Sequence, residues 1–461
     1  MPEAPPLGER PIAVIGGGLT GLSAAFELVT QGRRVVVFEA SASLGGKIAE
    51  TSLDGTIVPT GPDAFLARRP EVTELATELG LTESLTSPVA RSARIYRDGV
   101  THPLPPNVLG VPATADLTAT GLISPAGARI AAEGVADSPP TDTDESVGSL
   151  VRRQLGDEVL EFLVDPLLGG INAGDTDRLS VISGVPQLDA LRKRGGRLLD
   201  AAASIIEEAA ARAVGRTEPA PVFHSIEGGL GRLIERLTER LIASGRCELR
   251  TNTHADVSRT DDGWTVDGTD VDHVISTIPA FGVAGLLAEI APEVSDLLSS
   301  IDYSSVALAV ITLAPETIDL GTEISGVLIP RTLGHHITAI SFASHKWPTL
   351  AIGGRQVLRV SVGRRTDERW MELSNDELVT AIEHDLSEIF GTEVNATNSA
   401  VTRWVRALPQ YDVGHRDRID ALDQLLDDLP GLHLTGAWRD GLGLPACVAA
   451  GRNAAQAAIN A

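Results

Sequence analysis

The chain opens on two apolar runs separated by a helical pattern. Ile12-Ala13-Val14-Ile15 carries no polar residue, and neither does Val35-Val36-Val37-Phe38. Short runs of this kind, bounded by glycine, read as strands buried on both faces of a parallel sheet. Between them Leu22-Ser23-Ala24-Ala25-Phe26-Glu27-Leu28 reads as a helix closed by Gly32, which predicts a βαβ unit. Thr51 to Pro59 reads as a hairpin around Asp54-Gly55, and Pro70 opens a helix through Glu78 that ends at Gly80.

From about Arg91 to Ala213 the pattern changes. His102 to Pro112 is proline-rich, Ser138 to Asp144 reads as a polar loop, and helices are expected at about 145–156, 157–165 and 197–214. The last has an apolar face of Leu198, Ala202, Ile205, Ile206 and Ala209. Asp165 to Asp175 is expected to be non-helical because of its glycines. The whole region reads as an insertion that builds pocket walls. An α/β pattern then resumes, with a helix at about 230–244, a strand at Glu248–Thr251, a hairpin turning at Asp262-Gly263, and a buried strand within His273–Pro279. Four strand-like runs from Val306 to Val362 suggest a mostly antiparallel second sheet, followed by a helix at about 374–390. Arg403-Trp404 begins the return to the first unit. The tail repeats the opening: a strand within Leu432–Trp438, a glycine turn from Gly441, and a helix to about Ile459. The expected fold is α/β. A discontinuous Rossmann-like dinucleotide-binding domain (1–70, 218–282 and 402–461) accompanies a mixed-sheet substrate domain (71–100, 165–217 and 283–401) and a helical insertion (101–164).

The first βα junction carries candidate chemistry. Gly16-Gly17-Gly18-Leu19-Thr20-Gly21 has the G-x-G-x-x-G spacing that combines a tight turn, close approach of backbone to a pyrophosphate, and close helix–strand packing. The phosphates would sit at the helix N-terminus. Glu39 ends the second strand, eighteen residues past Gly21, where a carboxylate can accept hydrogen bonds from ribose hydroxyls. Leu44-Gly45-Gly46-Lys47 adds a second glycine pair with a basic residue, which favours FAD over a nicotinamide. Gly61-Pro62-Asp63-Ala64 suits an irregular backbone against a flat ligand. The second helix N-terminus, after Gly443, can stabilise negative charge on a reduced flavin.

Composition sets outer bounds. The chain has 461 residues, 43% of them hydrophobic, enough for two or three domains, and a formal net charge of −24, which argues against nucleic acid as a partner. The two cysteines, Cys247 and Cys447, make no disulfide framework and fit a reducing cytoplasm. No stretch reads as a signal peptide or membrane span, so a cytoplasmic location is expected, with attachment to a membrane surface left open.

These residues together resemble the protoporphyrinogen/coproporphyrinogen oxidases. The likeness rests on the opening glycine run, Glu39, Gly45-Gly46-Lys47, Gly61 to Leu66, Pro166 to Asp175, Glu227-Gly228-Gly229-Leu230, Trp404 with Leu408-Pro409-Gln410-Tyr411, and Gly441 to Cys447. It spans nearly the whole chain. Arg68-Arg69 after the Gly-Pro-Asp loop, with no long apolar segment, resembles the Gram-positive-type branch acting on coproporphyrinogen III. The pattern departs at Lys47, Ala64 and Ala446, where arginine, serine and aspartate are common. The resemblance implies a flavin monoamine oxidase-like fold and FAD contacts at Gly16, Gly17, Gly18, Leu19, Thr20, Gly21, Glu39, Ala40, Lys47, Gly61, Pro62, Asp63, Ala64, Val257, Trp404, Leu442, Gly443 and Leu444. It implies a six-electron aromatisation of a porphyrinogen substrate in haem biosynthesis, with dioxygen as acceptor and hydrogen peroxide as product. Protoporphyrinogen IX remains the alternative substrate, and peripheral membrane contact and contact with neighbouring haem-pathway enzymes the further partners to consider.

Other groups carry less. A flavin amine oxidase would share the opening motif, but the tail lacks the aromatic pair expected around an amine. A phytoene-type desaturase would need a longer apolar tunnel, and a fold relative without flavin is hard to reconcile with Glu39 and the glycine run. Arg68 and Arg69 are the candidate clamps for a substrate propionate, a solvated helix-entry charge being the alternative. Arg192-Lys193-Arg194 reads as a solvated cluster and Cys447 as a buried free thiol. His335-His336 on a strand would point to opposite faces and could not chelate one metal, and no metal site or general base is expected.

Overall fold

The computed structural model describes residues 10–114, 116–134, 142–213, 220–261 and 263–461. Ser138 to Thr141 of the expected polar loop and the turn residue Asp262 lie outside the described residues. So do residues 1–9 and 214–219 of the expected domain segments.

The opening strand Ile12–Ile15 is central to a five-stranded parallel sheet. Its neighbours are Val35–Phe38, then Cys247–Arg250, on one side and Val274–Ser276, then Leu432–Leu434, on the other. Ile12–Ile15 and Val35–Phe38 are buried throughout, which is why both lack the alternation of a one-sided strand. The sheet is thus discontinuous in sequence. On one face the helices Leu19–Thr30 and Leu444–Asn460 cover Ile12, Val14, Val35 and Val37. On the other, Trp264, Val283, Leu298 and Trp438 cover Ala13, Val36 and Phe38. The two helices approach so closely that a Cβ at Gly451 would lie 2.2 Å from the Thr20 carbonyl oxygen. That contact fixes the first helix over the strand end, where the dinucleotide motif lies.

The second sheet has seven strands in the order Asn398–Pro409, Tyr303–Leu313, Gln356–Val362, Ile337–Phe342, Ile324–Leu328, Ser92–Arg97, Val100–Pro103. Every pairing is antiparallel except that of Ile324–Leu328 with Ser92–Arg97. The four expected strands are present and three more join them, including the edge strand that carries Trp404. One face packs on the helix Asn375–Phe390 through Leu378, Ile382, Leu386 and Ile389. That helix starts with a capping box, Ser374 and Glu377 each bonding the other's backbone.

A helical region with its own core, from Pro125–Glu133 to Leu198–Ala213, packs on the seven-stranded sheet through Ile95 and Leu328. Here one expectation fails: Asp165–Asn172 is a helix despite Gly169 and Gly170. Each interior glycine costs about 1 kcal/mol relative to alanine, but tertiary bonds hold the segment. Thr176 donates to Asp165 (2.8 Å), and Gln410 donates to the Asn172 carbonyl (3.0 Å). Ala173, left-handed at φ 46°, ends it. A second expectation fails nearby. Arg192 is buried against Asp189 (2.7 Å), Lys193 also reaches Asp189, and Arg194 pairs with Glu208, so the basic triplet is an ion-paired network. The histidine pair is also placed differently, since His335 and His336 precede their strand and both approach Asp385 (3.5 and 3.8 Å). Hydrogen bonding to that carboxylate raises the His335 pKa. Among the described residues no helix is long and apolar enough to cross a membrane.

Gly451→Ala is expected to lower the thermal midpoint, at a cost of about 1–3 kcal/mol from overpacking. Gly285→Ala, on the exposed side of Ala280–Leu287 with open space around it, should be neutral or stabilising by up to about 1 kcal/mol. Equal melting shifts for the two would contradict the close-approach account.

Candidate functional site

A cavity of about 890 Å³ lies between the carboxyl end of the parallel sheet and the inner face of the seven-stranded sheet. Its dinucleotide half is built by missing side chains. Ile15 runs into Gly16 at φ 106°, a left-handed turn, and a Cβ at Gly21 would sit 1.9 Å from the Gly16 carbonyl oxygen. The helix Leu19–Thr30 therefore starts directly over the strand end, with Gly18 as its N-cap and no side chain capping it. Gly18 opens onto the cavity, a Cβ there meeting nothing nearer than 3.9 Å. Gly45 donates to the Gly17 carbonyl (2.8 Å), so the second glycine pair is bonded to the first. The helix Leu444–Asn460 brings a second N-terminus to the same cavity, with N-cap Gly443 and neither a capping side chain nor an acidic residue in its first turn.

Glu39 is held by its own backbone neighbours. Its Oε2 accepts from the Gly17 N–H (2.7 Å), and its Oε1 from the Ser41 N–H (2.8 Å) and hydroxyl (2.7 Å). Lys47 lines the cavity, where surrounding protein lowers its pKa by burial against a smaller opposing effect of Cys447. Cys447 is free, and burial raises its pKa.

The residues expected to contact FAD are largely brought together. Gly16, Gly18, Leu19, Thr20, Glu39, Ala40, Lys47, Gly61, Pro62, Ala64, Trp404, Leu442, Gly443 and Leu444 all line the cavity. Gly17 and Gly21 stand just behind, shaping the turn. Val257 does not line it but is buried in the core beneath, and Thr253, His254 and Ala255 line it instead. Asp63 points away. Its carboxylate meets Lys346 (2.5 Å), Arg359 (3.0 Å) and the Trp347 indole N–H (3.1 Å). Burial alone would raise the Asp63 pKa, but Arg359 and Lys346 outweigh it and hold the group well below the usual carboxylate range. Arg68 and Arg69 are exposed and outside the lining, and Arg69 pairs with Glu71.

Asp63 is thus an anchor for the Gly61–Ala64 loop. Arg359 also donates to the carbonyls of Pro59 (3.0 Å) and Gly61, Trp404 donates to the Thr60 carbonyl (2.8 Å), and Ser225 to that of Asp63 (2.8 Å). The part played by Arg359 was not read from the sequence, although an arginine inside the apolar run Gln356–Val362 was a signal. Tyr411 has an equivalent role at the tail. Its hydroxyl donates to the Ala437 carbonyl (2.5 Å) and accepts from the Gly441 N–H (2.9 Å). The far half of the cavity is nearly free of charge, walled by Gly169, Gly170, Val306, Leu308, Thr338 and Ser361.

A bare helix N-terminus, a carboxylate lining the cavity at the end of the second strand, a bonded pair of glycine turns and a second helix N-terminus fit a flavin dinucleotide. The model of the flavin-containing amine oxidoreductases matches residues 19–459. The chain belongs to that family, and FAD is its flavin. Coproporphyrinogen III oxidase of Bacillus subtilis is 32% identical over 98% of this chain and 98% of its own length. The enzyme of that name from Mycobacterium leprae is 34% identical over 97% of this chain and 98% of its own. The crystal structure of a proposed protoporphyrinogen oxidase from Exiguobacterium sp. 255-15 superimposes with TM-score 0.84 at 31% identity, covering 98% of this chain and 99% of that one. Such likeness bears out the porphyrinogen oxidase resemblance and the flavin oxidase fold.

Asp63→Asn should loosen the Gly61–Ala64 loop and cost about 3 kcal/mol, because Lys346 and Arg359 are left buried without their counter-ion. A depressed folded-state pKa contributes stability above the unfolded value and loses it as pH falls toward the folded one. The gap between the wild-type and variant melting midpoints should therefore be constant near neutral pH and narrow below about pH 4. A gap that widened on acidification would contradict the assignment.

Proposed function

We propose that this chain catalyses the FAD-dependent oxidation of coproporphyrinogen III to coproporphyrin III in haem biosynthesis, with dioxygen as acceptor and hydrogen peroxide as product. The observation that carries this reading is the likeness to coproporphyrinogen III oxidases over nearly the full chain. Bound in the cavity, FAD supplies the two-electron acceptor that successive oxidations of the macrocycle require.

The side chains bind and orient. With FAD bound, the N-terminus at Gly18 would hold the pyrophosphate with Lys47 beside it, and Glu39 would accept from the ribose. The N-terminus at Gly443 would favour negative charge on a reduced flavin. The loop Gly61–Ala64, fastened by Asp63 and Arg359, and the indole of Trp404 would hold the flavin ring. The helix backbone at Gly169–Gly170 forms the wall against which the macrocycle would lie. Asp165, behind that face, has its pKa raised by burial against Arg331 and Arg364, and orders the wall without reaching the cavity. No carboxylate or imidazole lines that end among the described residues, so proton loss is assigned to the oxidised macrocycle and solvent rather than to a positioned base. The same reading places the enzyme in the cytoplasm, with peripheral contact to a membrane or to neighbouring haem-pathway enzymes.

Aerobic turnover followed by porphyrin fluorescence and peroxide release tests this. Coproporphyrinogen III should be favoured over protoporphyrinogen IX by at least about tenfold in kcat/KM, since the enzyme must distinguish charged from apolar substituents. The reverse preference would make it a protoporphyrinogen oxidase, and inactivity on both would overturn the reading.

A further inference from the structure

A substrate with four carboxylates approaching a protein of net charge −24 needs a local cation, and the exposed pair Arg68-Arg69 lies outside the cavity lining. The lining cations are otherwise engaged. Lys47 stands beside the dinucleotide turn, and Arg359 is bound to Asp63 and the loop carbonyls.

Arg406 also lies outside the lining, but unlike Arg68 and Arg69 it is held against a residue that lines it. Along the edge strand Asn398–Pro409, Val306 pairs with Trp404 and Ser304 with Leu408, so Val405, Arg406 and Ala407 stand opposite Ser305 alone. Such a bulge re-aims side chains, and here the backbone of Arg406 is left-handed at φ 48°. A long side chain adopts that conformation at an energetic cost. The Arg406 N–H donates to the Ser305 hydroxyl (3.1 Å), which fixes the bulge. Its guanidinium then lies 3.8 Å from the ring centroid of Phe281, whose ring lines the cavity and is met edge-on by Tyr303 (5.1 Å). Trp404 and Ala407, on either side in sequence, line the cavity too. Arg406 is exposed and has no carboxylate partner among the described residues. Stacking leaves the in-plane N–H donors of a guanidinium free for a bidentate bond to a carboxylate.

We propose that Arg406, held on Phe281 by the bulge, binds a propionate carboxylate of the substrate at the cavity rim and contributes to the preference for a tetracarboxylate macrocycle. This rests on the porphyrinogen reading above. Asparagine tolerates the left-handed backbone without the charge, and lysine keeps the charge without the fork.

The test is binding of coproporphyrin III and of its tetramethyl ester to the FAD-loaded protein, read by quenching of porphyrin fluorescence, beside steady-state turnover. Arg406→Asn should weaken coproporphyrin III binding and raise KM about tenfold, the scale of one lost charge-assisted bond. It should leave kcat, flavin content and ester binding unchanged. Arg406→Lys should recover part of the loss. Unchanged coproporphyrin III binding in Arg406→Asn would overturn the proposal, as would equal loss of ester binding or loss of FAD, which would assign the residue to packing or to the cofactor. Wild-type protein that binds coproporphyrin III but oxidises no porphyrinogen would refute the proposed reaction, while the binding comparison would still decide the role of Arg406.

Discussion

Everything at this site depends on backbone reaching where a side chain would block it. A helix N-terminus attracts a phosphate strongly only when the phosphate touches its free N–H groups. Here three contacts make that approach available. Gly21 lets the first helix sit against the Gly16 carbonyl, Gly451 locks that helix to the C-terminal one, and Gly18 leaves the space in front of the N-terminus clear. Since the C-terminal helix also presents its own N-terminus to the cavity, one packing contact sets the relative position of two anion-favouring helix ends. On the far wall Gly169 and Gly170 contribute helix backbone to the cavity lining.

Polar and charged residues support these surfaces from behind. Asp63 spends its carboxylate on Lys346 and Arg359 and so fastens a loop whose backbone, not whose side chain, faces the cavity. Gln410 and Tyr411 act likewise, one bracing the end of the glycine helix and the other the tail turn. Motifs far apart in the chain, Asp165–Asn172, Leu408–Tyr411 and Gly441–Leu444, are therefore parts of one wall.

The dinucleotide half was legible because its signals are local: an apolar run, a glycine spacing and an acidic residue at a set distance. The parallel sheet and the two-helix arrangement follow from them. Asp165–Asn172 was misread because glycine propensity is a weak local term, overridden by bonds to Thr176 and Gln410 that local sequence does not reveal. Proximity in sequence to Gly61 does not say which way the Asp63 carboxylate turns; that is decided by Arg359, nearly three hundred residues away. The Arg406 bulge arises from a register shift between two strands, which no single-strand pattern encodes.

The central claim is that this cavity presents a porphyrinogen to bound FAD. Mixing the oxidised, FAD-loaded protein anaerobically with coproporphyrinogen III tests it most directly. The account predicts that oxidised-flavin absorbance bleaches as coproporphyrin fluorescence appears, and that benzylamine leaves the absorbance unchanged. Bleaching by the amine and none by the porphyrinogen would contradict it.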